Sequence, residues 1–172
     1  DETYFRQSQK GSRKMTHPSR ARVGKATPKG SARDLVPVLI GRVRGAHQVS
    51  DSVLTAMRAG QAEIALRAVV GPDTLLCTDG SGALRTAAAK LGVTSKSVAV
   101  VYDGRVSEGV YHVQTVNNYH ERFKTWANRQ LRGVSTKHLP SYLAWMRTWE
   151  WFKEGIKPEH FLVSGLGVQL IN

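Results

Sequence analysis

The chain has 172 residues, which suits a single domain that buries about 70% of the surface of its unfolded chain. Its 25 lysines and arginines outnumber 13 aspartates and glutamates, and the formal net charge of +12 favours a polyanionic partner such as DNA. The single cysteine, Cys77, lies in an apolar stretch and cannot form a four-ligand zinc site. No apolar run approaches 18 residues and no signal-peptide pattern is present, so we expect a cytoplasmic protein.

The positive charge is concentrated directly after the first apolar stretch. Residues 6–33 contain no acid and are rich in Ser, Gly and Pro, a composition typical of a flexible loop inserted next to the first strand. Two interpretations stay open: the loop contacts the phosphate backbone of DNA, or it is solvated and makes no defined contact. The basic residues expected to bind DNA are Lys10, Arg13, Lys14, Arg20, Arg22, Lys25 and Lys29.

The next part of the chain predicts alternating strands and helices. Residues 35–44 and 49–54 are predicted strands, and Pro37 indicates that the first of them is an edge strand or is bent. A helix is predicted over about 61–70, a short buried strand over 74–78, a helix over 83–91 and a buried strand over 97–102.

Two carboxylates stand at the ends of apolar stretches. Asp79 directly follows the predicted strand 74–78, and Asp1 opens the chain before Thr3 and Phe5. A carboxylate at a strand end points outward, where ligands of open α/β sheets bind. Two carboxylates brought together repel each other unless a cation lies between them, which indicates Mg²⁺ or Mn²⁺. Two such ions about 4 Å apart stabilise the attacking and leaving oxygens when a phosphodiester is displaced.

Residues 114–131 predict a helix with one buried face. Its apolar positions recur at spacings of three and four, at Val116, Tyr119, Phe123, Trp126, Ala127 and Leu131. Asn117 and Lys124 fall on a neighbouring polar face, about 10 Å apart along the axis. An amide oxygen can bind a hard cation, and a lysine can hold a phosphate. A further helix is predicted after Ser135 or Thr136, whereas residues 154–172 lose helical periodicity and are expected to pack as a strand or to stay loose.

Together these motifs resemble the catalytic domain of bacterial insertion-sequence transposases of the DDE type. The similarity lies in residues 1–4, 78–80, 112–124 and 132–143, which cover most of the chain in the order of that family. The resemblance is to the ISXO-like branch, which carries Asn where most relatives carry the third carboxylate.

The resemblance implies an α/β fold of the ribonuclease-H-like class, a mixed central sheet flanked by helices, over residues 1–153. Asp1 and Asp79 would be the metal-binding carboxylates, Asn117 would take the third position, and Lys124 would contact DNA near the reacting phosphate. Members of the family use Mg²⁺ or Mn²⁺, cut double-stranded DNA at transposon ends and join the freed 3′ hydroxyl to target DNA. The resemblance also implies a homo-oligomer on DNA and association with the bacterial nucleoid when the protein acts. Because Asn117 is neutral, two carboxylates remain, which predicts weak binding of the metal.

Two alternatives stay open. Full-length relatives have an N-terminal zinc ribbon and helix-turn-helix, which this sequence lacks, and it begins inside an expected strand, so we expect a fragment. Such a fragment could be a catalytically inactive DNA-binding remnant of a transposase. A nonspecific basic nucleic-acid-binding protein is the other alternative, and it would not require the site residues to converge.

Three residues near Asn117 are secondary candidates for the site. Glu121 is expected to form a surface ion pair with Lys124 rather than to bind metal. His112 and His120 flank the Asn117 turn and could act on a proton or a phosphate, or simply pack in the fold.

Overall fold

The computed structural model describes residues 1–16, 35–98 and 106–165. The first three strands form an antiparallel sheet in the order β1 (Glu2–Arg6), β2 (Leu35–Arg42) and β3 (Val49–Val53). Helix α1 (Ala59–Arg67) follows. Strands β4 (Leu75–Thr78) and β5 (Thr94–Ser97) pair in parallel and are connected by α2 (Gly82–Leu91), a β-α-β unit.

The rest of the described chain is helical. Helix α3 (Gln114–Thr125) continues into a π-helical turn, Trp126–Gln130, and a 3₁₀ turn, Thr136–His138, leads into α4 (Leu139–Trp151). Helix α5 (Pro158–Gly165) packs on α4. No helix among the described residues is long and apolar enough to cross a membrane.

Strand β2 is buried on both faces because helices cover each side of the antiparallel sheet. Val38 and Ile40 point to one side, where they join a core with residues of α3 and α4, whereas Leu39 points to the other side and packs with residues of α1 and α2. The first core contains Phe5, Val38, Ile40, Val49, Val113, Val116, Tyr119, Phe123, Trp126, Leu139, Leu143 and Met146. The second contains Leu39, Leu54, Ala62, Leu66, Leu84 and Ala87. Antiparallel and parallel strand pairs flanked by helices confirm the expected α/β class.

Two local predictions differ from the structure. Of the two interpretations of Pro37, an edge strand or a bend, the edge strand is wrong, since β2 lies between β1 and β3. The register explains why proline is tolerated in β2. Asp1 and Ile40 exchange backbone hydrogen bonds, so the nitrogen of Pro37, three residues before Ile40, points away from β1. On its other side the β2–β3 ladder ends at Leu54, so the missing N–H of Pro37 interrupts no further pairing.

The strand predicted at 97–102 lies mostly outside the described residues, and β5 (Thr94–Ser97) ends where it would begin. The prediction of a strand or loose segment over residues 154–172 is wrong for residues 158–165, which form α5, and residues 166–172 lie outside the described residues. The Phe161 ring of α5 lies 5.8 Å from the Trp145 ring and 6.3 Å from the Trp149 ring. Packing against α4 therefore stabilises a helix that the sequence periodicity does not predict.

Candidate metal and DNA site

The start of β1 and the end of β4 bring three carboxylates together. One oxygen from each of Asp1, Glu2 and Asp79 lies within 4.8 Å of the other two. The α-amino group of Asp1 donates a 2.8 Å hydrogen bond to the Ile40 carbonyl, and the Ile40 N–H donates to the Asp1 carbonyl at 2.9 Å, so the strand ladder fixes Asp1 at this point. Asp1 and Asp79, both predicted from sequence, therefore converge.

Asp79 is oriented by the sharp turn that connects β4 to α2. The Ser81 N–H donates a 3.1 Å hydrogen bond to Asp79 Oδ1, and Gly80 has a φ of +97°, a conformation that favours glycine. A Cβ at Gly80 would lie 2.8 Å from the Ser97 hydroxyl oxygen, so the neighbouring strand also requires a glycine there. The sequence Thr78-Asp79-Gly80 thus turns the carboxylate out of the sheet toward β1.

The negative charges and buried oxygens of these carboxylates are only partly matched by donors or positive charges. Asp1 Oδ1 and Glu2 Oε2 are inaccessible to solvent and have no hydrogen-bond partner. Burial raises the pKa of Glu2, and the neighbouring Asp79 raises it further, while Ser81 and the Asp1 amino group offset part of the rise. Three clustered oxygen donors with unpaired buried oxygens fit a hard divalent cation such as Mg²⁺ or Mn²⁺.

Helix α3 contributes a polar stripe with a buried histidine at its centre. Asn117, His120 and Lys124 follow one another at spacings of three and four, so they share one side of the helix. His120 is 7% exposed, and its Nε2 has no hydrogen-bond partner. The pKa of His120 is lowered to about 4, chiefly by burial and also by the positive charges of the Asp1 amino group and Lys124, while Asp79 acts in the opposite direction. His120 is therefore close enough to Asp79 and to the Asp1 amino group to interact with them electrostatically.

Two contacts fix α3 relative to the sheet. Glu150 of α4 is 4% exposed and forms ion pairs with Arg42 of β2, at 2.9 Å, and with Arg122 of α3, which also donates a hydrogen bond to it. The Phe123 ring packs edge-on against Phe5 of β1, with centroids 5.2 Å apart. These contacts join β1, β2, α3 and α4 into one frame around the site.

The predicted DNA-binding residues have different environments. The Lys10 ammonium donates to the carbonyls of Leu131 and Gly133, at 2.6 and 2.7 Å, and thus caps the C-terminal end of the α3 segment. Arg13 and Lys14 are exposed in the segment that follows β1. Arg20, Arg22, Lys25 and Lys29 lie outside the described residues.

The secondary candidates Glu121 and His112 also lie in different environments. Glu121 accepts a 3.2 Å hydrogen bond from the Thr125 hydroxyl, and no ion pair joins it to Lys124 among the described residues. His112 is half-buried, and its carbonyl accepts from Arg44 at 3.2 Å. Sequence reasoning did not include Glu2 in the site, because alternation along a strand places it on the opposite face from Asp1. His120, a secondary candidate from the sequence, lies on the polar stripe of α3 between Asn117 and Lys124.

Comparison with protein families finds a match over most of the chain. The family model of the ISXO2-like transposase domain matches residues 1–149, which include every one of the site residues described above. No curated protein and no solved structure matches the chain.

Proposed function

Because the chain belongs to the ISXO2-like transposase family, we propose that it is a metal-dependent catalytic domain that cuts DNA at transposon ends and joins the 3′ hydroxyl to target DNA. The observation that carries the proposal is the convergence of Asp1 and Asp79, which are distant in sequence but have carboxylate oxygens within 4.8 Å of each other. A nonspecific basic protein has no need of such a costly arrangement.

In this proposal one set of residues binds the metal and another binds DNA. Asp1 and Asp79 would bind the cation, with the Asn117 amide oxygen as a neutral third ligand. When bound, Mg²⁺ or Mn²⁺ would stabilise the negative charge that develops on the attacking and leaving oxygens of the phosphodiester. Lys124, two turns along α3 from Asn117, would hold the phosphate next to the reacting one as a point charge.

His120 has a different part in this proposal. Its imidazole is buried and its pKa is lowered to about 4, so the ring is neutral at pH 7 and adds no positive charge beside the cation. In the proposed site the positive charge that faces DNA therefore comes from Lys124 and not from His120. We assign it no proton transfer.

DNA contact would come from the basic residues that follow β1 and from Lys124. Arg13 and Lys14 are exposed and have no acidic partner among the described residues, which supports phosphate binding. Lys10 is a weaker candidate because its ammonium is held by backbone carbonyls. Contacts by Arg20, Arg22, Lys25 and Lys29, and assembly as a homo-oligomer on DNA, remain part of the proposal.

The test is metal-dependent nicking of supercoiled plasmid, together with strand transfer of labelled duplexes from the DNA that flanks the gene. Asp79→Asn should abolish both reactions, whereas Asp73→Asn, the same change at an exposed turn, should leave them intact. Salt-sensitive DNA binding with no cleavage by the unmodified protein would refute the enzymatic proposal and favour a DNA-binding remnant.

A further inference from the structure

Glu2 lies beside the two proposed metal ligands and has a buried oxygen with no partner. Its carboxylate is within 4.8 Å of the ligand oxygens of both Asp1 and Asp79. Glu2 Oε2 and Asp1 Oδ1 are both inaccessible to solvent and unbonded. An unpaired buried carboxylate oxygen is costly, and native folds normally satisfy it with a donor or a cation.

The strand register explains how adjacent residues reach the same site. Consecutive side chains of a strand point to opposite faces, so Asp1 and Glu2 leave β1 on different sides of the sheet. Asp1 is paired with Ile40, which packs toward α3, and Glu2 is paired with Leu39, which packs toward α2. Asp79 precedes the turn that leads into α2, and Leu39 packs with residues of α2, so Glu2 lies on the same side of the sheet as the Asp79 turn. Oxygens of all three carboxylates lie within 4.8 Å of one another.

Basic side chains of the described residues do not neutralise the carboxylates, and the Asp1 amino group donates its hydrogen bond to the Ile40 carbonyl. Among the residues that the structure describes, none of the three carboxylates takes part in a side-chain ion pair. His120, which is close enough to Asp79 to interact with it electrostatically, is 7% exposed and has no hydrogen-bond partner at Nε2. Buried polar atoms without partners, on His120 as on Asp1 and Glu2, are rare in native folds and are often explained by a bound ion.

We propose that Glu2 is a third carboxylate ligand of the divalent metal, an inference that rests on the proposed function. With Asn117 neutral, Asp1 and Asp79 alone supply two negative charges, and Glu2 restores the third. Because affinity for a divalent cation rises with the charge of its ligands, this chain binds metal more tightly than its Asn117 suggests. The weak metal binding expected from the sequence assumed two carboxylate ligands, whereas this proposal gives the metal three.

The test is titration of the full chain with Mn²⁺ alone, by calorimetry and by thermal unfolding. Glu2→Gln keeps the shape of the side chain and removes its charge, and Glu154→Gln makes the same change at an exposed turn. Glu2→Gln should weaken Mn²⁺ binding about tenfold or more. It should also raise the unfolding temperature without metal, because it relieves repulsion, and reduce the rise that Mn²⁺ produces. Glu154→Gln should behave as the unmodified chain.

The outcomes separate this inference from the proposed function. Normal Mn²⁺ affinity in Glu2→Gln, with weakened affinity in Asp79→Asn, overturns the role of Glu2 and leaves the transposase proposal standing. A lower unfolding temperature in Glu2→Gln, with unchanged Mn²⁺ affinity, would mean that Glu2 is purely structural. If the unmodified chain neither binds millimolar Mn²⁺ nor cleaves DNA, both proposals fail.

Discussion

His120 makes the stability of the metal-free protein sensitive to pH. It is 7% exposed, and burial lowers its pKa from 6.5 to about 4. Between these two values the unfolded chain binds a proton that the folded chain does not. The stabilising contribution is therefore complete above pH 6.5 and is lost as the pH falls from 6.5 toward 4.

The magnitude follows from the size of the shift. Each pKa unit corresponds to about 1.4 kcal/mol, so the full difference is worth about 3 kcal/mol. Between pH 7 and pH 5, where the folded imidazole remains neutral and the unfolded one becomes charged, the loss is about 2 kcal/mol. This exceeds the effect of most surface substitutions and is measurable.

The assay is urea unfolding at pH 7 and pH 5 in the presence of a chelator. The unmodified chain should lose about 2 kcal/mol more than His120→Gln between the two pH values. His47→Gln, which removes an exposed imidazole, should lose as much as the unmodified chain. Equal losses in the unmodified chain and His120→Gln would refute the reasoning, whatever the absolute stability of the variant.

Three further substitutions test the frame and the DNA surface. Glu150→Gln leaves its two arginine partners without a buried counter-charge and should lower the free energy of unfolding in urea by about 3 kcal/mol. The control Glu63→Gln, whose basic partners are exposed, should lower it by about 0.5 kcal/mol or less. Phe123→Ala opens a cavity at a fully buried position and should cost about 4 kcal/mol, and a loss below about 1 kcal/mol would contradict the packing described. Arg13→Gln should lower the slope of log affinity for DNA against log salt by about 0.9, while Lys10→Gln should leave that slope unchanged and reduce thermal stability.

Much of the fold could be predicted because it depends on local patterns. The helix over 114–131 is confirmed as α3 and its π-helical turn, and its spaced apolar residues form the buried face. The strand before Asp79 and the helix after it are also confirmed. These elements have periodicities of two or about four residues, which are visible in a short stretch of sequence.

Part of the site could not be predicted from such patterns. Strand alternation argues that Glu2 points away from Asp1, and only the position of the Asp79 turn shows that both reach the same point. Composition predicted that Lys10 binds DNA together with its basic neighbours. In the structure its ammonium donates instead to the backbone carbonyls of Leu131 and Gly133, more than a hundred residues away along the chain. Both outcomes depend on contacts between distant segments.

The sequence by itself determined the family, the two carboxylates Asp1 and Asp79, and the polar stripe of α3, because each is encoded in a short run of residues. Tertiary structure alone decided that Glu2 joins the carboxylates, that His120 is buried beside them, that Pro37 lies in a central strand and that α5 forms at all. The physical reason is that burial, register and electrostatic neighbours are set by which segments pack together, and local propensity carries no information about those partners.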